Sequence, residues 1–453
     1  MVKLFGTDGI RGVANRFPMT PEIMVKIGIA VGTLLQEHGP RVVIGRDSRL
    51  SGQMLEQALS AGLVASGANV LLAGVIPTPG VAFLTRQLQA QAGIVISASH
   101  NPAQDNGVKF FSGDGFKLPD DVESHLENLV LNDQSPSERP IGGHLGRIQH
   151  LAEAAEQYAA HCAGSVFPEP HPSIKGLHVV VDCANGAASA IAPSVFSSLD
   201  AKVVTLSNEP DGLNINRDCG ALHTHSLQER VLREKADIGI AFDGDADRLI
   251  LVDDCGRQLD GDRILAMLAL DLHQRKRLKN DVLVATVMSN LGLEFSMKEA
   301  GISVVRTAVG DRHVVEKMRE IGANVGGEQS GHIILMDHGT TGDGLSAALA
   351  ILQMLHSSEH PLSALASCIT SFPQQLVNVA VKERKPIEEM VGVSEAIRRA
   401  EKELGSRGRT LVRYSGTELL VRIMVEAEDE ETVTRITQMI VEEFHKENKK
   451  VST

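Results

Sequence analysis

The sequence predicts three similar mixed α/β domains with largely parallel sheets, followed by a smaller C-terminal α+β domain. Two observations carry that expectation. A strand–helix–strand–helix–strand pattern occurs three times, and each round runs into a polar segment after its third strand. In the last part of the chain the pattern changes to alternation of polar and apolar residues, as in an antiparallel sheet covered on one face. The expected domains are 1–150, 151–254, 255–370 and 371–453, which a chain of 453 residues has room to form.

The first round reads RVVIG at 41–45, a helical stretch at 53–65, ANVLL at 68–72 and AGIVI at 92–96. The second reads HVVVD at 178–182, a helix from Ala187, AKVVT at 201–205 and DIGIA at 237–241. The third reads DVLVA at 281–285, a helix from Leu291, ISVVR at 302–306 and ANVG at 323–326. Continuous apolar runs of this kind suit strands buried on both faces. After them come SASHNP (97–102), DGDAD (243–247) and GEQSGH (327–332). Ligands in open α/β sheets lie outside the carboxyl ends of strands, so the three segments are expected to converge on one cleft. In the final domain LVNVAV (376–381) and LVRIMV (420–425) alternate, and a closing helix carries apolar Val433, Ile436, Ile440 and Phe444. Stretches 132–146 and 164–175 read as linkers, and Pro373 marks a hinge.

Composition narrows the function classes. Lys and Arg number 44 against 57 Asp and Glu, and the net charge of −13 disfavours bulk nucleic-acid or anionic-membrane binding while leaving a pocket for a small anion open. With no Trp and two Tyr, stacking platforms for single-stranded nucleic acid are few. The five cysteines are dispersed without a C-x-x-C pair, so neither a disulfide framework nor a zinc knuckle is expected, and a reducing compartment fits. There is no bilayer-length apolar run and no signal-peptide pattern, so a cytoplasmic protein is expected, with neither nucleic acid nor membrane as partner.

Chemistry concentrates in the polar segments. Asp243, Asp245 and Asp247 alternate with small residues, and an extended backbone would place their carboxylates on one side. Two such charges about 4 Å apart repel by roughly 4 kcal/mol at an effective dielectric of about 20, so the set calls for a cation or a proton. All-oxygen ligands point to Mg²⁺, and Arg248 stands where a calcium-binding EF-hand loop needs glycine. Ser99 lies just past a buried strand beside His100, but no G-x-S-x-G elbow supports a serine hydrolase. Lys109 follows closely, and by itself reads as either a surface lysine or a phosphate-neutralising, proton-transferring group. Arginines recur among glycines in GTDGIRG (6–12, with Arg11) and GRDSRLSG (45–52). RYSGT at 413–417, with Arg422 on the next strand, has the guanidinium, hydroxyl and backbone donors that suit a phosphate dianion. Glu328, Ser330 and His332 in GEQSGH can hydrogen-bond sugar hydroxyls. Neither a P-loop nor a G-x-G-x-x-G fingerprint is present.

Taken in order, SASHNP, DGDADR, GEQSGH and RYSGTE resemble the α-D-phosphohexomutase superfamily, and the likeness runs through all four expected domains. Within it, FGTDGIRG (5–12) and Gln329 resemble the phosphoglucosamine mutases. The resemblance implies three α/β domains and a fourth, TATA-box-binding-protein-like domain around a central cleft. It implies interconversion of glucosamine 6-phosphate and glucosamine 1-phosphate through a phosphoserine enzyme and a glucosamine 1,6-bisphosphate intermediate, on the route to UDP-N-acetylglucosamine and cell-wall precursors. Ser99 would carry the phosphoryl group, completing with Asp243, Asp245 and Asp247 the shell of one Mg²⁺ per subunit. Arg11, His100 and Lys109 would act catalytically by offsetting charge or moving the hydroxyl proton. Arg248, Glu328, Ser330 and His332 would bind substrate, while Arg413, Ser415, Gly416, Thr417 and Arg422 would grip the phosphate not being transferred. The partners so implied are a small-molecule hexosamine phosphate, a second subunit in a homodimer, and a priming kinase unless Ser99 is autophosphorylated.

Other readings stay open. One is a phosphomannomutase/phosphoglucomutase of the same superfamily. Another is a phosphatase with Asp243 as nucleophile, weakened by Asp247 where that pattern prefers Thr or Val. A third is a non-catalytic sugar-phosphate sensor, which the presence of Ser99, the three aspartates and Lys109 speaks against.

Overall fold

A computed structural model describes residues 3–6, 8–35, 39–132, 138–167, 173–414 and 419–450, and parts of both expected linkers lie outside them. The chain divides into two compact units, 1–288 with 302–368, and 289–301 with 369–453.

Among the described residues, the first unit holds three sheets. The first comprises β1 (Ile10–Val13), β2 (Arg41–Arg46), β3 (Asn69–Val75), β4 (Ala92–Ile96), β5 (Asp105–Ser112) and β6 (Ile148–His150), ordered β1-β5-β4-β2-β3-β6. Val42, Val43, Ile44, Ile94, Val95 and Ile96 are inaccessible, as expected of parallel strands covered on both faces. The second comprises β7 (His178–Asp182), β8 (Lys202–Leu206), β9 (Ile238–Phe242), β10 (Leu249–Asp253) and β11 (Gln258–Leu259), ordered β11-β10-β9-β7-β8. The third comprises β12 (Val282–Thr286), β13 (Ser303–Thr307), β14 (Val325–Gly327) and β15 (Ile333–Leu335), ordered β13-β12-β14-β15.

The threefold recurrence has a topological basis. In each sheet a parallel strand (β4, β9, β14) doubles back into an antiparallel neighbour (β5, β10, β15). The polar segments are the connections at these reversals. Periodicity does not reveal the return strands: β10 and β15 are buried apolar runs without alternation, and β5 opens on Asp-Asn-Gly and carries the buried Lys109.

The second unit contains β16 (Gln374–Ala380), β17 (Gly408–Tyr414) and β18 (Leu420–Ala427), antiparallel in the order β16-β18-β17. Val421, Ile423 and Val425 point to one face, where they pack with Val433, Ile436, Ile440 and Phe444 of the helix Glu430–Lys450. The helix Leu291–Glu299 also belongs here, although its position after β12 leads one to expect it in the third α/β layer. Phe295 stacks on Phe372 with ring centroids 5.4 Å apart. The Asn290 amide accepts from the backbone N–H of Phe372 and donates to its carbonyl and to Glu426. Among the described residues no helix is long and apolar enough to cross a membrane.

Candidate active site

Ser99 follows β4 with a left-handed backbone (φ +52°), a conformation that a non-glycine residue keeps only when its surroundings over-determine it. Several groups do so. Ser97 Oγ accepts the Ser99 N–H at 2.9 Å and donates to Asp47 Oδ2 at 2.6 Å. The fully buried Arg49 donates Nε–H to Asp47 Oδ2 at 2.9 Å and Nη2–H to the carbonyls of Ser99 (3.0 Å) and Asn101 (2.8 Å). Its Nη1 donates to the carbonyls of Pro102 and Asp105. Asn216, from the second layer, donates to the Ser99 and Asn101 carbonyls at 2.8 and 3.0 Å. Arg49 is therefore a clamp on the serine loop, and its donors point into protein.

Asp243, Asp245 and Asp247 bring one carboxylate oxygen each within 4.8 Å of one another. They do not meet through an extended backbone, as alternation suggests. The segment turns, with the Ala246 N–H donating to the Asp243 carbonyl at 3.0 Å and Ala246 at φ +54°. Gly244 lets this turn approach the serine loop, since a Cβ there would lie 2.6 Å from the Ser99 carbonyl oxygen. Ser99 Oγ donates to Asp243 Oδ2 at 2.5 Å. Burial, then the charges of Asp247 and Asp245, push the Asp243 carboxyl well above the usual range. Among the described residues, Asp245 Oδ1 and Asp247 Oδ1 are buried without a hydrogen-bond partner. Three buried carboxylates, two of them with an unsatisfied oxygen, form a hard, all-oxygen donor set that fits a divalent cation.

Lys109, on β5, places Nζ 2.9 Å from both Asp245 Oδ2 and Asp247 Oδ2 and 3.4 Å from Asp8 Oδ2. Burial alone would lower its pKa; Asp245, Asp247 and Asp8 reverse this and raise it well above the ordinary value. Lys109 is thus an ammonium, able to offset charge but not to take up a proton. His100 Nδ1 lies 3.2 Å from Ser99 Oγ. Burial, with Arg248 and Arg11 adding to it, brings its pKa down to about 4, so the ring is neutral and holds a proton only in passing. Arg11, on β1, pairs with Asp8. The Arg248 N–H donates to Asp243 Oδ1 at 3.1 Å.

The third polar segment is a tight turn in which Glu328 N–H donates to the His332 carbonyl. Glu328 Oε1 accepts from Gly310 N–H at 3.1 Å, and Ser330 is exposed. His332 is buried: Nδ1 lies 3.7 Å from Asp247 Oδ1, and Nε2 lies 3.4 Å from Asp311 Oδ2. Burial opposes protonation of the ring, but the contacts with Asp247 and Asp311 and their charges outweigh it and raise the pKa to about 10. Both ring nitrogens face protein groups, so His332 reaches the cluster through Asp247 and not as the free sugar-binding imidazole expected from sequence.

Ser99, His100, Lys109, Arg11, the three aspartates, Arg248 and His332 thus come together in one unit. Three charged residues passed over in the sequence, Asp8, Lys117 and Asp311, lie among them. Their signal was weak: Asp8 and Asp311 each sit beside a glycine and Lys117 beside Phe116. In the second unit Arg413 and Arg422 face each other across β17 and β18, and burial followed by the Arg422 charge lowers the Arg413 pKa. Like charges opposed on a ladder are unfavourable unless an anion joins them, and among the described residues Arg422 Nε has no hydrogen-bond partner. Ser415, Gly416 and Thr417 lie outside the described residues.

Four family models match in series: Phosphoglucomutase/phosphomannomutase alpha/beta/alpha domains I (2–137), II (156–256) and III (260–372), and the C-terminal domain (376–443). A phosphoglucosamine mutase of Nitratidesulfovibrio vulgaris is 50% identical, the alignment covering 98% of this chain and 99% of that protein. One of an Anaeromyxobacter species is 51% identical, covering 98% and 96%. Among solved structures, a phosphoglucomutase/phosphomannomutase family protein of Burkholderia thailandensis superposes with a TM-score of 0.81 at 25% identity, covering 98% and 97%. Aspergillus fumigatus N-acetylphosphoglucosamine mutase, in complex with GlcNAc-6P and magnesium, shares the fold at a TM-score of 0.65 and 18% identity, covering 98% and 96%.

Proposed function

Since the chain belongs to the phosphoglucomutase/phosphomannomutase family, with phosphoglucosamine mutases among its relatives at about 50% identity, we propose that it interconverts glucosamine 6-phosphate and glucosamine 1-phosphate through a phosphoserine at Ser99. The observation that carries the reading is the 2.5 Å contact between Ser99 Oγ and Asp243 inside a buried carboxylate triad. On this reading residues 1–150 carry the phosphoserine, 151–254 the metal ligands, 255–370 the sugar contacts and 371–453 the phosphate clamp.

Asp243, Asp245 and Asp247, with an oxygen of the Ser99 group, would hold one Mg²⁺ per subunit. When bound, it supplies positive charge against the phosphoryl oxygens. The residues perform two mirrored transfers. In the first, the sugar's free hydroxyl forms a bond to phosphorus as the bond to Ser99 Oγ breaks, giving glucosamine 1,6-bisphosphate. The hydroxyl proton passes by way of His100 to the departing Ser99 Oγ, while ammonium Lys109 and Arg11 offset the moving charge. After the bisphosphate turns over, Ser99 Oγ attacks the other phosphate and releases the product. Glu328 and Ser330 hold the sugar hydroxyls, Arg248 assists at the triad, and Arg413 and Arg422 grip the phosphate at rest, with the 415–417 segment. Such transfer depends mainly on positioning and charge neutralisation. Priming of Ser99, by a kinase or by autophosphorylation, starts the cycle, and a homodimer is the assembly we assign.

A coupled assay with glucosamine, mannose and glucose 6-phosphates tests the substrate. Preference for the amino sugar is expected; equal or better turnover of mannose 6-phosphate would move the chain to the phosphomannomutase/phosphoglucomutase reading. Chelation is expected to abolish turnover and Mg²⁺ to restore it. Unchanged turnover in excess chelator would refute the assigned ligands.

A further inference from the structure

The charges around Lys109 continue into a closed ring. Asp8 lies 3.4 Å from Lys109 through Oδ2, and its Oδ1 meets the Lys117 ammonium. Lys117 Nζ lies 2.6 Å from Asp311 Oδ2. Asp311 lies 3.4 Å from His332 Nε2, His332 Nδ1 lies 3.7 Å from Asp247, and Asp247 returns to Lys109 at 2.9 Å. Six side chains from all three α/β layers thus form one loop, and Lys117 is the member that joins the serine layer to the third layer. Asp311 begins the helix Asp311–Ile321, and Gly310, just before it, donates to Glu328.

We propose that Lys117 is a positioning residue for the transfer, holding Asp8 and Asp311 together and so fixing Lys109 relative to Glu328 in the sugar loop. The inference rests on the mutase reading. Lys117 touches neither Ser99 nor the triad directly among its ion-pair partners, and only 12% of its side chain is exposed. Removing the ammonium leaves Asp8 with Arg11 and Lys109 and Asp311 with His332, so the two largely buried carboxylates face each other with no cation between them, which opens the ring at that point. The layers themselves stay joined, because Thr340 Oγ1 donates to the Gly115 carbonyl at 2.5 Å and Arg312 pairs with Glu123 at 2.7 Å. The effect therefore falls on alignment more than on folding.

The test compares Lys117→Met and Lys117→Arg with the unmodified full chain. Lys117→Met is expected to lower kcat about 10- to 100-fold, the scale of a misplaced reacting group, with KM moved by less than about threefold. Lys117→Arg is expected to restore most of kcat. Amide hydrogen exchange at residue 310 and residues 328–332 is expected to quicken in Lys117→Met and to return in Lys117→Arg. A Lys117→Met protein with wild-type kcat, or with unchanged exchange in that turn, overturns the proposal. If the unmodified chain shows no mutase turnover, the parent reading fails instead, and the exchange comparison still decides whether Lys117 orders the sugar loop.

Discussion

Ser99→Ala is expected to cut mutase turnover on the order of 10⁴-fold or more, the scale seen when a covalent nucleophile is removed, while the protein remains folded. Only one oxygen is lost, and the contacts that shape the loop run through the Ser99 backbone and through Arg49, Ser97 and Asn216. Phosphopeptide mapping gives the companion result: the unmodified protein carries phosphate on Ser99 and the variant carries none. Two outcomes would sink the assignment. A variant as active as the parent would revive a sensor or some other chemistry. Phosphate that persists in the variant and is released by hydroxylamine would mark Asp243 as nucleophile.

Arg49→Met is expected to reduce both stability and turnover. The substitution strips Asp47 of its buried partner at 2.9 Å and removes the donors to four carbonyls of the serine loop. Breaking a buried ion pair from one side costs about 3–5 kcal/mol. Chemical denaturation should therefore shift by that amount for the first unit. Arg49→Lys keeps a charge for Asp47 but lacks the planar fork that reaches the carbonyls. It is expected to recover much of the stability and little of the turnover, because the left-handed Ser99 backbone depends on those bonds. Wild-type kcat in Arg49→Lys would show that the clamp has no part in holding the nucleophile.

The sequence made the strand ends legible because buried β-branched runs and the polar residues after them differ so sharply. It therefore placed Ser99, the three aspartates and the GEQSGH turn at equivalent positions. What it concealed was three-dimensional pairing. The carboxylates meet by a turn at Ala246, which alternation misread as extension. The return strands β10 and β15 show no period of their own because both faces are covered, and β5 begins with Asp-Asn-Gly, a turn-like start for a strand. The role of Arg49 as a clamp shows only in its burial and its carbonyl partners. Asp8, Lys117 and Asp311 are separated by 109 and 194 positions, and no local pattern can announce a junction of that span.

The helix Leu291–Glu299 makes the chain enter the second unit, leave it and enter it again. Excising the C-terminal module at residue 369 would strip Phe372 of its stacking partner, so gene fusion or modular shuffling that treats the last stretch as self-sufficient starts from the wrong cut. Three peptide connections join the two bodies, and a permuted protein that keeps those nine helical residues with the module is the version suited to independent folding.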